Sequence, residues 1–283
     1  MKEYNSFDVL KGGIHLTIER LKNAKDFLEN QLGSFKPEVL VVLGSGLGFL
    51  SEKVSSPLVV DYKDIPDFPS TTVEGHEGKL VFGELFKRKV MIMKGRFHYY
   101  EGHQIDKVVF PIYLAWALGV KRILLTNAAG GINRIYKPGD IVAVKDIINF
   151  MFVNPLRGEN DERIGPRFPD MSTPVDREWL DELLKVKSLK TGVYIAVMGP
   201  SYETPSEIKM FEKLGADLVG MSTVPEVIAA KHCGMKILIL SCVSNMAAGI
   251  LKEPLSHEDV IKVTKMVKDK FASIVQTALE VMK

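Results

Sequence analysis

The feature that most limits what this chain can fold into is a series of short apolar runs that do not alternate and that end in small residues. Val39-Leu40-Val41-Val42-Leu43 is the first. A strand with one wet face alternates apolar and polar residues, whereas a run that is apolar at every position fits a strand covered on both faces. It ends in Gly44-Ser45-Gly46-Leu47-Gly48. Val90 to Met93 runs into Lys94-Gly95-Arg96-Phe97-His98, and Ile123 to Thr126 into Asn127-Ala128-Ala129-Gly130-Gly131. Further along, Thr191 to Met198 closes in Gly199-Pro200-Ser201-Tyr202-Glu203-Thr204-Pro205. Two more strand-like segments, which carry Asp217 and Lys236, end in the same way: Ala216 to Val219 in Gly220-Met221-Ser222-Thr223, and Met235 to Cys242 before Ser244-Asn245.

Stretches with helical periodicity separate these runs: Gly13 to Leu32, Asp106 to Leu118, Val175 to Leu189, Ser206 to Leu214, and a last one from His257 to Lys283. Strands alternating with helices, without repeat or linker, predict one α/β domain over residues 1–283. Its centre is a mixed, mostly parallel β-sheet flanked by helices. Lys79 to Phe86 and Val90 to Met93, separated by Lys87-Arg88-Lys89, predict a hairpin. Asn149 to Thr173 shows no period, and a long irregular segment in a compact chain is usually functional or an interface. In open α/β sheets ligands bind beyond the carboxyl ends of the strands, so the loops named above are able to meet at one site.

Composition narrows the partners. A net charge of +2 on 283 residues gives no bulk basic field, so no nucleic-acid partner is expected, while a local anion pocket remains compatible. Cys233 and Cys242 sit in apolar surroundings without the spacing of a zinc site. They predict small buried side chains in a reduced compartment, and no metal. Met1 to Asp8 is polar and lacks a secretory apolar core, and no apolar run is long enough to span a bilayer. The expectation is a cytoplasmic protein with no membrane partner.

Arg96 offers a planar fork that fits two oxygens of a phosphate, and His98 can donate a proton or carry charge near neutrality. Tyr99 and Tyr100 present flat rings with polar tips, suited to a sugar face. The loop around Ser45 lets backbone N–H groups approach an anion, with the hydroxyl as a further donor. Its spacing is G-x-G-x-G rather than G-x-G-x-x-G, and the acidic partner of a dinucleotide site is ambiguous among Asp61, Asp64 and Asp67. Each residue also has a plain structural alternative. His76, between Gly75 and Glu77-Gly78, can be an exposed loop residue. Glu203 can be a carboxylate favoured by a helix N-terminus, and Ser222 an N-cap. Asn245 can satisfy a turn, and His257 can be a surface helix residue.

Laid side by side and in order, these segments resemble the purine nucleoside phosphorylases of the trimeric, low-molecular-weight class. The segments are Gly44 to Gly48, Gly75-His76-Glu77-Gly78, Gly95 to His98, Asn127 to Gly131, Asn154-Pro155-Leu156-Arg157-Gly158, Gly199 to Thr204, Gly220 to Glu226, and Ser244-Asn245. The resemblance covers nearly the whole chain, from the first strand to His257. It implies a phosphate site at Ser45, His76, Arg96, His98, the Ala128 backbone and Ser222. It puts Tyr100, Met221 and His257 at ribose-contacting positions, Glu203 and Asn245 at base-binding positions, and Tyr202 against the base. His98, Glu203 and Asn245 are the implied catalytic set.

The implied partners are inorganic phosphate and a purine nucleoside, with no cofactor. The implied assembly is a homotrimer in which Phe150 or Phe152 reaches a neighbouring site. The implied reaction is the reversible phosphorolysis of inosine, guanosine and their 2′-deoxy forms in purine salvage, giving free base and (deoxy)ribose 1-phosphate. Methylthioadenosine phosphorylases, on the same scaffold, usually carry an acid at the Asn245 position. Asparagine there favours 6-oxopurines. A nucleoside-binding module without turnover and a phosphate-independent nucleoside hydrolase are the remaining alternatives.

Overall fold

Strand β1 (Val39–Val42) is buried at every position, as its uninterrupted apolar sequence demands. The structure, a computed structural model, describes residues 18–71, 77–251 and 257–283. His76 lies outside these residues, and of His257 only the backbone, which opens a helix, is described. β1 lies between two parallel neighbours, β4 (Arg88–Lys94) and β5 (Arg122–Gly131). Each fully buried Val or Leu on such a strand contributes about 1.5–3 kcal/mol, so β1 alone anchors the centre of the molecule.

Strands β2 (Ser55–Asp61) and β3 (Lys79–Leu85) extend the sheet beyond β4 by antiparallel pairing. The β3–β4 hairpin forms as expected, but its turn is not the basic triplet. Leu85 pairs with Arg88, so the loop is Phe86-Lys87, both at positive φ (51° and 64°). That is the backbone a two-residue hairpin needs to match strand twist. β2 is mostly exposed, carries Pro57 and a register shift between Ser55 and Leu58, and forms the outer edge. Proline and a bulge are common ways to keep an edge strand from pairing with another chain.

On the other side of β5 come β6 (Ile141–Asn149), β7 (Lys190–Ala196), β8 (Leu218–Gly220) and β9 (Lys236–Met246). The order across the nine-stranded sheet is β2-β3-β4-β1-β5-β8-β7-β6-β9, and β9 also pairs with β5. β5, β8, β7, β6 and β9 therefore close into a ring. The sheet is mixed: β1–β4, β1–β5, β5–β9, β6–β7 and β7–β8 are parallel, while β2–β3, β3–β4, β5–β8 and β6–β9 are antiparallel.

The helices are α1 (Ile18–Leu32), α2 (Ile105–Ala117), α3 (Arg177–Val186), α4 (Pro205–Lys213), α5 (Val224–His232), α6 (His257–Met266) and α7 (Lys268–Glu280). Two expectations are corrected. The single last helix is two, interrupted at Val267 (φ −97°, ψ 8°). Asn127 to Gly131 and Ser244-Asn245 are not loops but the ends of β5 and β9, which pair along their length with a shift between Ala129 and Gly130. Small residues let these two strands continue past the core and carry their tips to the site. Cys233 and Cys242 are buried free thiols. No helix among the described residues is long and apolar enough to cross a membrane.

Candidate active site

The tips of β1, β4, β5, β8 and β9 and the loop after β7 surround a cavity of 380 Å³. Gly44, at the end of β1, is fixed by its own N–H, which donates to Thr126 Oγ1 at 3.1 Å. A Cβ there would stand 2.7 Å from Asn127 Cα and 2.8 Å from Thr126 O. Only glycine lets β1 and β5 approach this closely, which places Ser45 on the cavity wall.

Arg96, just beyond β4, is buried (1 % exposed) yet lines the cavity. Its guanidinium pairs side-on with Glu226 in the first turn of α5. Nε donates to Oε1 at 3.3 Å and Nη2 to Oε2 at 2.5 Å, while Nη1 donates to Thr126 O at 2.7 Å. Removing one partner of such a buried pair typically costs about 3–5 kcal/mol. His98 stacks on Tyr100 with ring centroids 4.7 Å apart. Glu101 Oε1 accepts from the His98 backbone N–H at 2.7 Å and lies 3.0 Å from Nδ1. Burial pushes the His98 imidazole below its ordinary value; Glu101 opposes that and the Arg96 charge adds to it. A neutral ring with Nδ1–H directed at the carboxylate keeps Nε2 as an acceptor. Burial pushes the Tyr100 hydroxyl up to about 12, so it is a neutral hydroxyl at any working pH.

Ser222 is not an N-cap. The capping position of α5 is Thr223, which makes no side-chain cap bond. Thr223 has φ 73° and ψ −50°, and the Val224 N–H donates back to Ser222 O at 2.8 Å. A β-branched residue in this tight turn is strained. Its buried hydroxyl accepts from Asn127 Nδ2 at 2.9 Å and lies 3.1 Å from Ser222 Oγ. The turn thereby fixes the serine hydroxyl on the cavity wall beside Met221.

Glu203 is likewise not the cap of α4. Thr204 is the N-cap, and its side chain and that of Glu207 bond reciprocally to each other's backbone N–H groups. Glu203 lines the cavity instead, with Tyr202 and Pro200. Burial, with a smaller push from Glu207, raises its carboxyl above the ordinary 4.5. Asn245 is held by its neighbour: Ser244 Oγ donates to Oδ1 at 2.8 Å, and Nδ2 makes a long bond to Met246 O at 3.4 Å.

The described residues singled out in the sequence for phosphate, sugar or base thus line one cavity, namely Ser45, Arg96, His98, Tyr100, Ala128, Tyr202, Glu203, Met221, Ser222 and Asn245, with the exception of Tyr99, which packs against the core instead. The model of the phosphorylase superfamily matches residues 38–280. The chain belongs to the phosphorylase superfamily. Within it, the chain is 47% identical over 268 residues to purine nucleoside phosphorylase 1 of Geobacillus stearothermophilus, covering 93% of this chain and 97% of that one. It is 43% identical to the purine nucleoside phosphorylase of Rattus norvegicus, covering 87% and 89%. Among solved structures, a schistosome purine nucleoside phosphorylase in complex with hypoxanthine superposes with a TM-score of 0.89 at 37% identity, covering 97% of this chain and 99% of that one. The Schistosoma mansoni enzyme in complex with adenosine matches equally, also with a TM-score of 0.89 and 37% identity over the same shares.

Of the residues that sequence reading passed over, Glu226, Glu101 and Thr223 stand behind the wall and hold Arg96, His98 and Ser222. Asn127 and Ser244 lie on the wall and hold Thr223 and Asn245. Glu226 and Thr223 lay in a motif already singled out, but an acid in a first helical turn reads as a capping charge. Its buried partner is 130 residues away in the chain.

Proposed function

We propose that this phosphorylase catalyses the reversible phosphorolysis of purine nucleosides, giving the free base and ribose 1-phosphate, and that residues 1–283 form one catalytic unit. The observation that carries this reading is the convergence of Arg96, His98 and Ser222 with Glu203 and Asn245 on one cavity.

As the glycosidic bond breaks, the sugar becomes oxocarbenium-like and the purine takes up negative charge. Rate is gained from contacts that strengthen as that charge separates. Phosphate held by Ser45, Arg96, the Ala128 backbone and Ser222 is a positioned nucleophile and a counter-ion to the cation, which is worth several kcal/mol, on the order of 7 or more. Neutral His98 accepts the proton that a phosphate carries near neutral pH. His76 belongs to the same set by resemblance, as does His257 with Tyr100 and Met221 on the ribose. Tyr202 packs the base. Asn245 donates to the departing purine at N7, where losing such a donor costs roughly 3 kcal/mol.

Ionised Glu203 accepts from the N1–H and amino donors of a 6-oxopurine. Adenine has no N1–H, and an unmatched buried polar group costs about 1–3 kcal/mol. Inosine and guanosine are therefore the preferred substrates. The preference is one of degree, since a schistosome relative has been crystallised with adenosine. The assembly we propose is a homotrimer working in the cytoplasm. Phe150 packs on both Phe152 and Phe211, with ring centroids 4.7 and 5.2 Å apart, whereas Phe152 is 76 % exposed, which supports Phe152 as the ring that reaches a neighbouring site.

Hypoxanthine release from inosine, assayed with and without phosphate, tests the reading. Release is expected only with phosphate, and with ribose 1-phosphate as co-product. Free ribose formed without phosphate would mean a hydrolase, and faster turnover of methylthioadenosine than of inosine would mean the sister activity.

A further inference from the structure

We propose that Glu226 is the counter-charge and positioning residue of the phosphate site, a role that rests on phosphate binding at Arg96. Both side chains are almost wholly buried, at 1 % and 2 % exposure. A guanidinium taken out of water without an anion beside it is costly, so a site built around Arg96 needs a resident anion whenever phosphate is away. Glu226 meets that need in the geometry that suits a guanidinium: two nearly parallel bonds, Nε to Oε1 and Nη2 to Oε2. The Thr126 carbonyl takes a third bond, from Nη1. Three bonds from two elements fix the plane of the fork.

The position of Glu226 in the chain adds a second link. It lies in the first turn of α5, whose start is set by the strained turn at Thr223 directly after Ser222. One short segment, from Ser222 through the turn at Thr223 into the first turn of α5, thus carries both the hydroxyl that faces the cavity and the carboxylate that orients the cation. Asn127 Nδ2 ties that turn to β5, the strand that supplies the Thr126 carbonyl. Arg96 and Ser222 are kept in register by a common frame rather than by contact with each other.

Two consequences separate charge from geometry. With Glu226 present, an arriving phosphate shares an already compensated cation, so it is held less tightly than an isolated guanidinium would hold it. Without it, phosphate takes over the compensation of Arg96 that Glu226 provides. Glu226→Gln should lower the thermal midpoint of the phosphate-free protein, and saturating phosphate should raise the midpoint by more than it raises that of the unaltered protein. Turnover should fall at least about tenfold as the fork loses its alignment, with the KM for inosine within about threefold. Glu226→Asp keeps the charge but withdraws the carboxylate by about 1.5 Å. Its phosphate-induced rise should not exceed that of the unaltered protein, and its KM for phosphate should increase at least about fivefold while that for inosine holds.

An equal midpoint loss with and without phosphate in Glu226→Gln would assign Glu226 a merely structural role and overturn the proposal. So would matched changes of both KM values in Glu226→Asp, which decides alone if the glutamine variant does not fold. The unaltered protein supplies the remaining control. If phosphate neither stabilises it nor drives hypoxanthine release, the phosphorolysis reading itself fails; if it does both, a failure in the variants belongs to Glu226 only.

Discussion

Glu203 and His98 are displaced in opposite directions by the same cause, loss of water. Burial raises the Glu203 carboxyl above 4.5 and lowers the His98 imidazole below 6.5. The signs differ in what they do. A raised carboxyl favours the protonated form, so its stabilising contribution is present below pH 4.5 and is lost as pH rises through the folded value. Ionised Glu203 at neutral pH is thus a strained group that donors on a purine relieve. The lowered imidazole contributes stability above pH 6.5 that is lost as pH falls through its folded value. We expect the KM for inosine to climb as pH is lowered from neutrality toward the raised value of the Glu203 carboxyl, because base binding needs the carboxylate. Glu203→Gln should raise that KM at neutral pH and flatten its pH dependence. A pH profile of the inosine KM for both proteins, at saturating phosphate, checks this.

At the level of elements, the close approach of the end of β1 to β5 sets where the phosphate-facing loop begins. The groups that crowd a Cβ at Gly44 are backbone atoms of Thr126 and Asn127, which cannot swing aside. Gly44→Ala should destabilise the fold by about 1–3 kcal/mol and raise the KM for phosphate more than that for inosine; thermal denaturation and steady-state kinetics measure the two effects. The same elements explain what could be read in advance. β1, β4, β5 and β9 announce themselves because strands buried on both faces need long apolar stretches. β2 gives no such signal, since most of its residues face solvent and it carries a proline. The ends of β5 and β9 look like loops because small and polar residues there serve the cavity rather than the core. The lining residues were legible as types of chemistry at strand ends. Their supports were not, because Glu226 with Arg96, and Asn127 with Thr223, are pairings between segments about a hundred residues apart. Only the folded sheet brings them together.

At the scale of the whole molecule, Phe152, Met198, Tyr202 and Met210 are apolar or aromatic side chains left substantially exposed. They lie on the segments after β6 and β7 and on α4. In the assembly proposed above, Phe152 completes a neighbour's sugar site. Phe152→Ala should raise the KM for inosine roughly tenfold, about the value of one desolvated aromatic contact, and leave the KM for phosphate nearly unchanged. Kinetics with each substrate varied, alongside light scattering to confirm the assembly, give the readout.

The closure of β9 onto β5 has a consequence for how such a catalyst can diversify. Ala128 and Asn245 sit on the ladder between β5 and β9 that closes the ring, so that side of the cavity cannot widen without unpicking it. Room for bulkier bases or altered sugars has to be found around Pro200 and Tyr202, in the irregular segment after β7, where a new side chain displaces no ladder.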